Sequence, residues 1–217
     1  MSAKSKRTIT RNQRTPSDDG NMPTEDEVVA YVDESMRTCE GIITYYLCAV
    51  IDRGIGEVDL DGLRMLKPNG AKKLHARDMG VELTSCALDA ISKLVMDVIV
   101  VSGRPVNMRK QERARRRCLE LLLPLLASAG VSRVVMESRS ESQDKRDREM
   151  AVILTRKGWI GSLRLYHARG EDEPRLWIPD QILGTQGLAD TDGVVPTELE
   201  VPWRRIGKIL ERRQIEL

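Results

Sequence analysis

Phenylalanine is absent from this 217-residue chain, and all aromatic residues together make up 3% of it. A hydrophobic fraction of 41% is still enough for a core, so that core has to be assembled from Leu, Val, Ile, Met and Ala. Long apolar runs are missing too, none approaching the ~20 residues that a membrane-spanning helix needs. The basic N-terminus has no apolar stretch behind it, which argues against a secretory signal. Four cysteines, Cys39, Cys48, Cys86 and Cys118, occur without a C-x-x-C pair. That spacing speaks against a zinc site or a disulfide framework and reads them as small free hydrophobes. These absences lead us to expect one soluble cytoplasmic domain with tails and no membrane partner.

The net charge of +2 hides an uneven distribution. Residues 1–14 carry Lys4, Lys6, Arg7, Arg11 and Arg14 and no acid, which leaves the remaining chain slightly acidic. Residues 1–25 lack periodic apolar positions and read as a disordered basic arm. Such an arm can touch nucleic-acid phosphates or serve as a plain leader.

From Val28 the pattern becomes that of a folded α/β domain, expected over 26–189. Val28–Val32 is a β-type run ending in Asp33-Glu34-Ser35. A second strand follows at Ile42–Ile51, across a polar hairpin containing Gly41. Residues 59–70 suggest a short helical excursion, and Lys73–Asp78 a third strand. Apolar spacing predicts a helix over Val81–Leu94, and the continuous run Val95–Val101 a buried strand. Asn107–Ala129 is a helix with a kink or break expected at Pro124. Arg133–Met136 reads as a strand closed by Glu137, Gln143–Lys157 as a charged helix and Ser162–His167 as a strand. A last helix opens at Trp177 with Pro179 in its first turn. The tail, 190–217, carries an amphipathic helix over Trp203–Ile215 that can dock on the domain, pair with another subunit as a homodimer, or touch nucleic acid. Hairpin strands followed by strand–helix alternation predict a mixed sheet flanked by helices.

Acidic residues recur where the predicted strands end: Asp33 and Glu34, then Glu137, with Asp180 opening the last helix. In open α/β sheets such strand ends line the ligand crevice. Carboxylates gathered there repel one another unless a cation or a proton intervenes. An all-oxygen set points to Mg²⁺ or Mn²⁺ rather than zinc. Equally, acids at strand ends and helix starts are common in solvated loops without any metal. Asp144 and Asp147 share a helix face that reads as a solvated, salt-bridged surface. His75, beside Arg77 and Asp78, is a candidate general base, metal ligand or structural group. The Arg104–Arg117 stretch is either a phosphate-binding patch or the wet face of a helix.

Asp33-Glu34-Ser35 followed by a hydrophobic second strand resembles the opening signature of the domain-of-unknown-function 3800 family. Leu74-His75-Ala76-Arg77-Asp78 resembles that family's histidine segment. Glu137-Ser138-Arg139 with Gln143-Asp144, then Trp177-Ile178-Pro179-Asp180, resembles its later acidic motifs; the similarity runs over roughly 28–187. This chain departs from the pattern at Met36 and in lacking a carboxylate at the strand end before Ser102. The resemblance implies a ribonuclease-H-like mixed sheet flanked by helices, with two-metal cleavage of phosphodiester bonds. Carried over by position, Asp33, Glu137 and Asp180 are metal carboxylates and His75 an accessory group.

The expected function is therefore a Mg²⁺- or Mn²⁺-dependent nuclease acting on nucleic acid. Asp33, Glu34, His75, Glu137 and Asp180 are its candidate catalytic residues. Asp33, Glu137, Asp144 and Asp180 are the candidate metal ligands. Glu34 and Asp147 are supplementary ligands, and Ser35, Arg77, Arg139 and Gln143 contact substrate. The alternative is a non-catalytic binding protein on the same scaffold, its acids held by arginines.

Overall fold

A computed structural model describes residues 27–107, 109 and 111–217; the basic arm expected over 1–25 lies outside them. β1 (Val29–Cys39) and β2 (Ile42–Asp52) form an antiparallel hairpin in which Cys39 faces Ile42. Its two-residue turn, Glu40-Gly41, has positive φ at both positions (49° and 77°), the twist that short hairpins favour and that Gly adopts without strain. Two helices, α1 (Glu57–Leu66) and α2 (Val81–Ile91), then precede β3 (Met96–Arg104). The rest alternates: α3 (Gln111–Ser128), β4 (Arg133–Glu137), α4 (Glu141–Arg156), β5 (Arg164–Ala168), α5 (Trp177–Asp192), α6 (Thr197–Gly207) and β6 (Leu210–Glu216).

The six strands form one mixed sheet in the order β5-β4-β1-β2-β3-β6. β1 is antiparallel to β2 and parallel to β4, β2 is antiparallel to β3, β4 is parallel to β5, and β3 is parallel to β6. Successive residues of a strand point to opposite faces, and the two cores divide accordingly. Ala30 and Val32 of β1, with Tyr45, Leu47 and Ala49 of β2, pack toward α3 and α4. Tyr46, Cys48 and Val50 pack toward α1, α2, α5 and α6. β2 and β3 are thus covered on both faces, which is why they read as unbroken apolar runs. No described helix is long and apolar enough to cross a membrane.

Four expectations are corrected. β1 does not end at Asp33; it continues to Cys39, so the two acids sit in mid-strand on opposite faces. Lys73–Asp78 is not a strand but a loop closing in a single 3-10 turn, Ala76–Asp78. It is held by burial of Leu74 and by hydrogen bonds to α5 rather than by a partner strand. α3 runs through Pro124 unbroken, with Leu119, Leu122, Leu123 and Leu126 buried on both sides of the proline. The helix expected over Trp203–Ile215 ends at Gly207, and Leu210–Glu216 form β6 on the edge of the sheet. The tail docks on its own chain, α6 against α2 and β6 against β3.

Candidate active site

The alternation of β1 separates Asp33 from Glu34. Odd-numbered residues of this strand lie with Val29 and Tyr31 on the face that meets Leu176 and Val135, even-numbered ones with Ala30 and Val32 on the α3–α4 face. β4 obeys the same rule, with Val135 on the first face and Val134 and Met136 on the second. Glu137 therefore shares the face of Asp33. The β1–β4 ladder runs to Val32↔Met136, so Asp33 and Glu137 are one register step beyond it, on strands roughly 4.8 Å apart.

Asp180 reaches the same place from α5. Its Oδ2 accepts from the backbone N–H of Ala76 at 2.7 Å and lies 2.9 Å from Nδ1 of His75. Lys73, from the same loop, donates to Glu137 Oε1 at 2.5 Å. Burial, followed by the charges of Asp180 and Glu137, pushes the Asp33 carboxyl well above the usual carboxylate range, while Lys73 and Arg115 oppose this. Lys73 is pulled down by its partial burial, yet its bond to Glu137 and the charges of Glu137, Asp33 and Asp180 leave its pKa raised. The hydrogen bond to Asp180 raises His75, against the effect of its partial burial. Asp33, Glu137, Asp180, Lys73 and His75 thus form one electrostatic unit.

A glycine makes this approach possible. A Cβ on Gly184, one turn beyond Asp180, would stand 2.7 Å from Cβ of Ala76. Gly184→Val should push α5 off the 3-10 turn and cost about 1–3 kcal/mol of stability. In NMR spectra of the variant, the His75 imidazole should lose the resonance position set by its bond to Asp180. An unchanged imidazole signal in a destabilised protein would show that the close contact does not position Asp180.

Glu34, Arg139, Gln143, Asp144 and Asp147 do not join this group; they lie across the sheet in a buried ionic network. Arg115, 2% exposed, pairs with Glu34 and donates to both oxygens of Asp147, at 3.1 and 2.6 Å. Glu34 also accepts from the Tyr45 hydroxyl. His167 Nε2 lies 3.2 Å from Asp147, and Asp144 accepts from the Ser138 hydroxyl at 2.6 Å and the Arg139 backbone N–H at 3.0 Å. Arg139 and Gln143 both bond Glu112. Burial works against the Asp147 carboxylate, but the bonds from His167 and Arg115 bring its pKa down to about 2.

This network contains the described set whose ligand atoms all lie within 4.8 Å of one another, Asp144, Asp147 and His167. Both oxygens of each carboxylate already accept hydrogen bonds from side chains or backbone, and Arg115 is already paired with Asp147. The trio fits a metal poorly. Asp33, Glu137 and Asp180 do not approach one another that closely, but they offer a hard cation an oxygen-only donor set. The hydrogen bond described for Asp33 comes from the backbone N–H of Glu34.

Beside the carboxylates a cavity of about 230 Å³ is lined by Ser35, Arg37, His75, Arg77, Gln111 and Asp180, among others. Ser35 and Arg77 are the two substrate-contact candidates of the sequence that line it. Lys73, Arg37, Tyr45 and Arg115 were not singled out by the sequence. Arg37 follows Asp33 by four residues and shares its face of β1, a signal that period-2 counting contains. Arg115 begins the buried stripe Arg115, Cys118, Leu119, Leu122, and nothing else distinguishes it from Arg113, Arg116 or Arg117, which are exposed. Arg116 and Arg117 pair with Glu120 at the surface, so the basic stretch of α3 divides between an internal ion pair and a solvated face.

No protein-family model matches the chain, and no curated protein matches it.

Proposed function

We propose that this protein is a divalent-metal-dependent nuclease of ribonuclease-H-like build, hydrolysing a phosphodiester bond presented to Asp33, Glu137 and Asp180. The observation that carries the reading is the placement of Asp33 beside Glu137 on one sheet face, with Asp180 brought to them by α5. Three carboxylates from separate elements act on one another there, with Lys73 bonded to Glu137 and His75 to Asp180. The mixed sheet flanked by helices and the resemblance to the domain-of-unknown-function 3800 family support the same reading.

Asp33, Glu137 and Asp180 would hold Mg²⁺ or Mn²⁺, which supplies Lewis acidity at a phosphoryl oxygen and lowers the pKa of a bound water. The chain's own groups supply the rest. Asp180 engages Nδ1 of His75, which leaves Nε2 free to orient a water or take its proton. The Ala76 N–H bond to the same Asp180 oxygen fixes the loop that carries His75. Lys73 offers a donor to a phosphate oxygen.

The test is incubation of the full chain with end-labelled single- and double-stranded DNA and RNA, in Mn²⁺ or in EDTA. Cleavage of at least one substrate in Mn²⁺ alone, lost in Asp33→Asn and Glu137→Gln, is the expected result. Failure of the wild type to cut any of the four would sink the reading. A second reading, a non-catalytic binding protein, is favoured by the Lys73–Glu137 and His75–Asp180 pairs, which satisfy two of the three acids internally. It predicts strand binding without cleavage.

A further inference from the structure

The cavity beside Asp180 has a charge balance that the carboxylate site does not explain. Its acidic wall residues are already matched: Glu34 by Arg115 and the Tyr45 hydroxyl, Asp180 by His75 and the Ala76 N–H. Its two arginines are not. Among the described residues neither Arg37 nor Arg77 has a carboxylate within ion-pair distance, although both line a cavity that holds two acids. Arg37 is also held in place. Its side chain packs where a Cβ on Gly187 of α5 would otherwise sit. Its Nε is buried with no hydrogen-bond acceptor. That Nε faces Gly187 and is out of an anion's reach; what the guanidinium would offer an oxyanion in the cavity is its terminal nitrogens, a pairing that guanidinium groups favour.

We propose that Arg37 and Arg77 form an anion subsite that grips a backbone phosphate of a single nucleic-acid strand next to the carboxylates. That the anion belongs to nucleic acid rests on the nuclease reading; that an anion binds here rests on the cavity alone. At about 230 Å³ the cavity is smaller than the ~300–1,000 Å³ typical of sites for whole small molecules. It suits one phosphate and its sugar, not a base pair. Arg37 lies four residues along β1 from Asp33, roughly 13 Å at the rise of a strand. The phosphate held by the subsite is therefore a different one, farther along the same strand, from that presented to the carboxylates. Ser35 and Gln111, also on the wall, supply neutral donors.

The experiment is fluorescence anisotropy of a labelled pentathymidylate with the full chain in EDTA, over a series of salt concentrations. Arg77 is exposed, so Arg77→Gln leaves folding untouched; Arg37→Gln and Arg37→Lys are checked by thermal melting first. Each Gln variant should weaken binding about tenfold and reduce the slope of log affinity against log salt by about one. Arg37→Lys should recover only part of the affinity, and Arg53→Gln, on the exposed surface, none of the loss. Wild-type affinity and slope in both Arg77→Gln and Arg37→Gln, or no binding by the wild type, would overturn the subsite and leave metal binding at Asp33 unaffected. Arginine-dependent binding by a protein that takes up no Mn²⁺ would uphold the subsite and end the nuclease reading.

Discussion

Asp147→Asn should lower the stability of the fold by about 3–5 kcal/mol, the scale for removing one partner of a buried ion pair. The reason is what it leaves behind. Arg115 is almost wholly enclosed and burial already pulls its pKa down. With Asp147 neutral, its charge keeps only Glu34 as a close partner. In a domain of this size the loss corresponds to a fall of about 10 °C in melting temperature. A surface pair such as Lys93–Asp89 should be removable with almost no effect. The same carboxylate gives the wild type an acid dependence. Its folded pKa is about 2, below the ordinary value near 3.9, so its contribution is complete above about pH 4 and is lost as the pH falls through 2. That contribution is about 2–3 kcal/mol. Denaturant melts between pH 5 and 2 should show the wild type converging on Asp147→Asn; parallel curves would mean that the network does not carry this charge.

Asp33→Asn should act in the opposite sense on the bare protein. Asp33 is buried between two like charges, and its pKa is raised by that burial and by Asp180 and Glu137. A group shifted this way destabilises the fold above its folded pKa and ceases to do so below its unfolded one. Removing the charge should therefore stabilise the protein in EDTA at neutral pH by about 0.5–2 kcal/mol, a gain typical when a strained functional group is neutralised. The advantage should shrink as the pH falls and the wild-type carboxyl takes up its proton. Saturating Mn²⁺ should reverse the order. A ligand at ~100 times its dissociation constant adds about 2.7 kcal/mol, and this gain should appear in the wild type only. Cleavage should fall by at least about 10²-fold, the scale for losing one group that stabilises transition-state charge. A variant that is less stable than wild type in EDTA would show that Asp33 is a structural acid.

Much of the architecture is legible in the sequence because burial leaves periodic marks. β2 and β3 read as apolar runs because both faces are covered, and Gly41 marks the hairpin. The errors have physical causes. Lys73–Asp78 has the local composition of a strand, but its conformation is decided by Asp180, more than a hundred residues away, and by burial of Leu74. The end of the chain has helical amphipathicity through Ile215, yet the free edge of β3 draws Leu210–Glu216 into the sheet. In the site, Asp33, Glu137, Asp180 and His75 stand out in the sequence as polar residues at expected element ends; the fold sets Asp33 and Glu137 on one sheet face and pairs His75 with Asp180. Adjacency in sequence groups Glu34 with Asp33, although period 2 sends neighbours to opposite faces. Asp144 and Asp147 looked like a wet helix face. They are the polar end of the buried stripe Asp144, Asp147, Ala151, Leu154, and their partner Arg115 is on another helix, where no local pattern reveals it.

The most direct test of the central claim is calorimetric titration of Mn²⁺ into wild type and Asp33→Asn, with a non-cleavable phosphorothioate strand present so that substrate phosphates can complete the ligand set. The account predicts saturable binding by the wild type and none by Asp33→Asn, with both proteins folded by their melting curves. Equal binding by the two, or no binding by the wild type under these conditions, would contradict it.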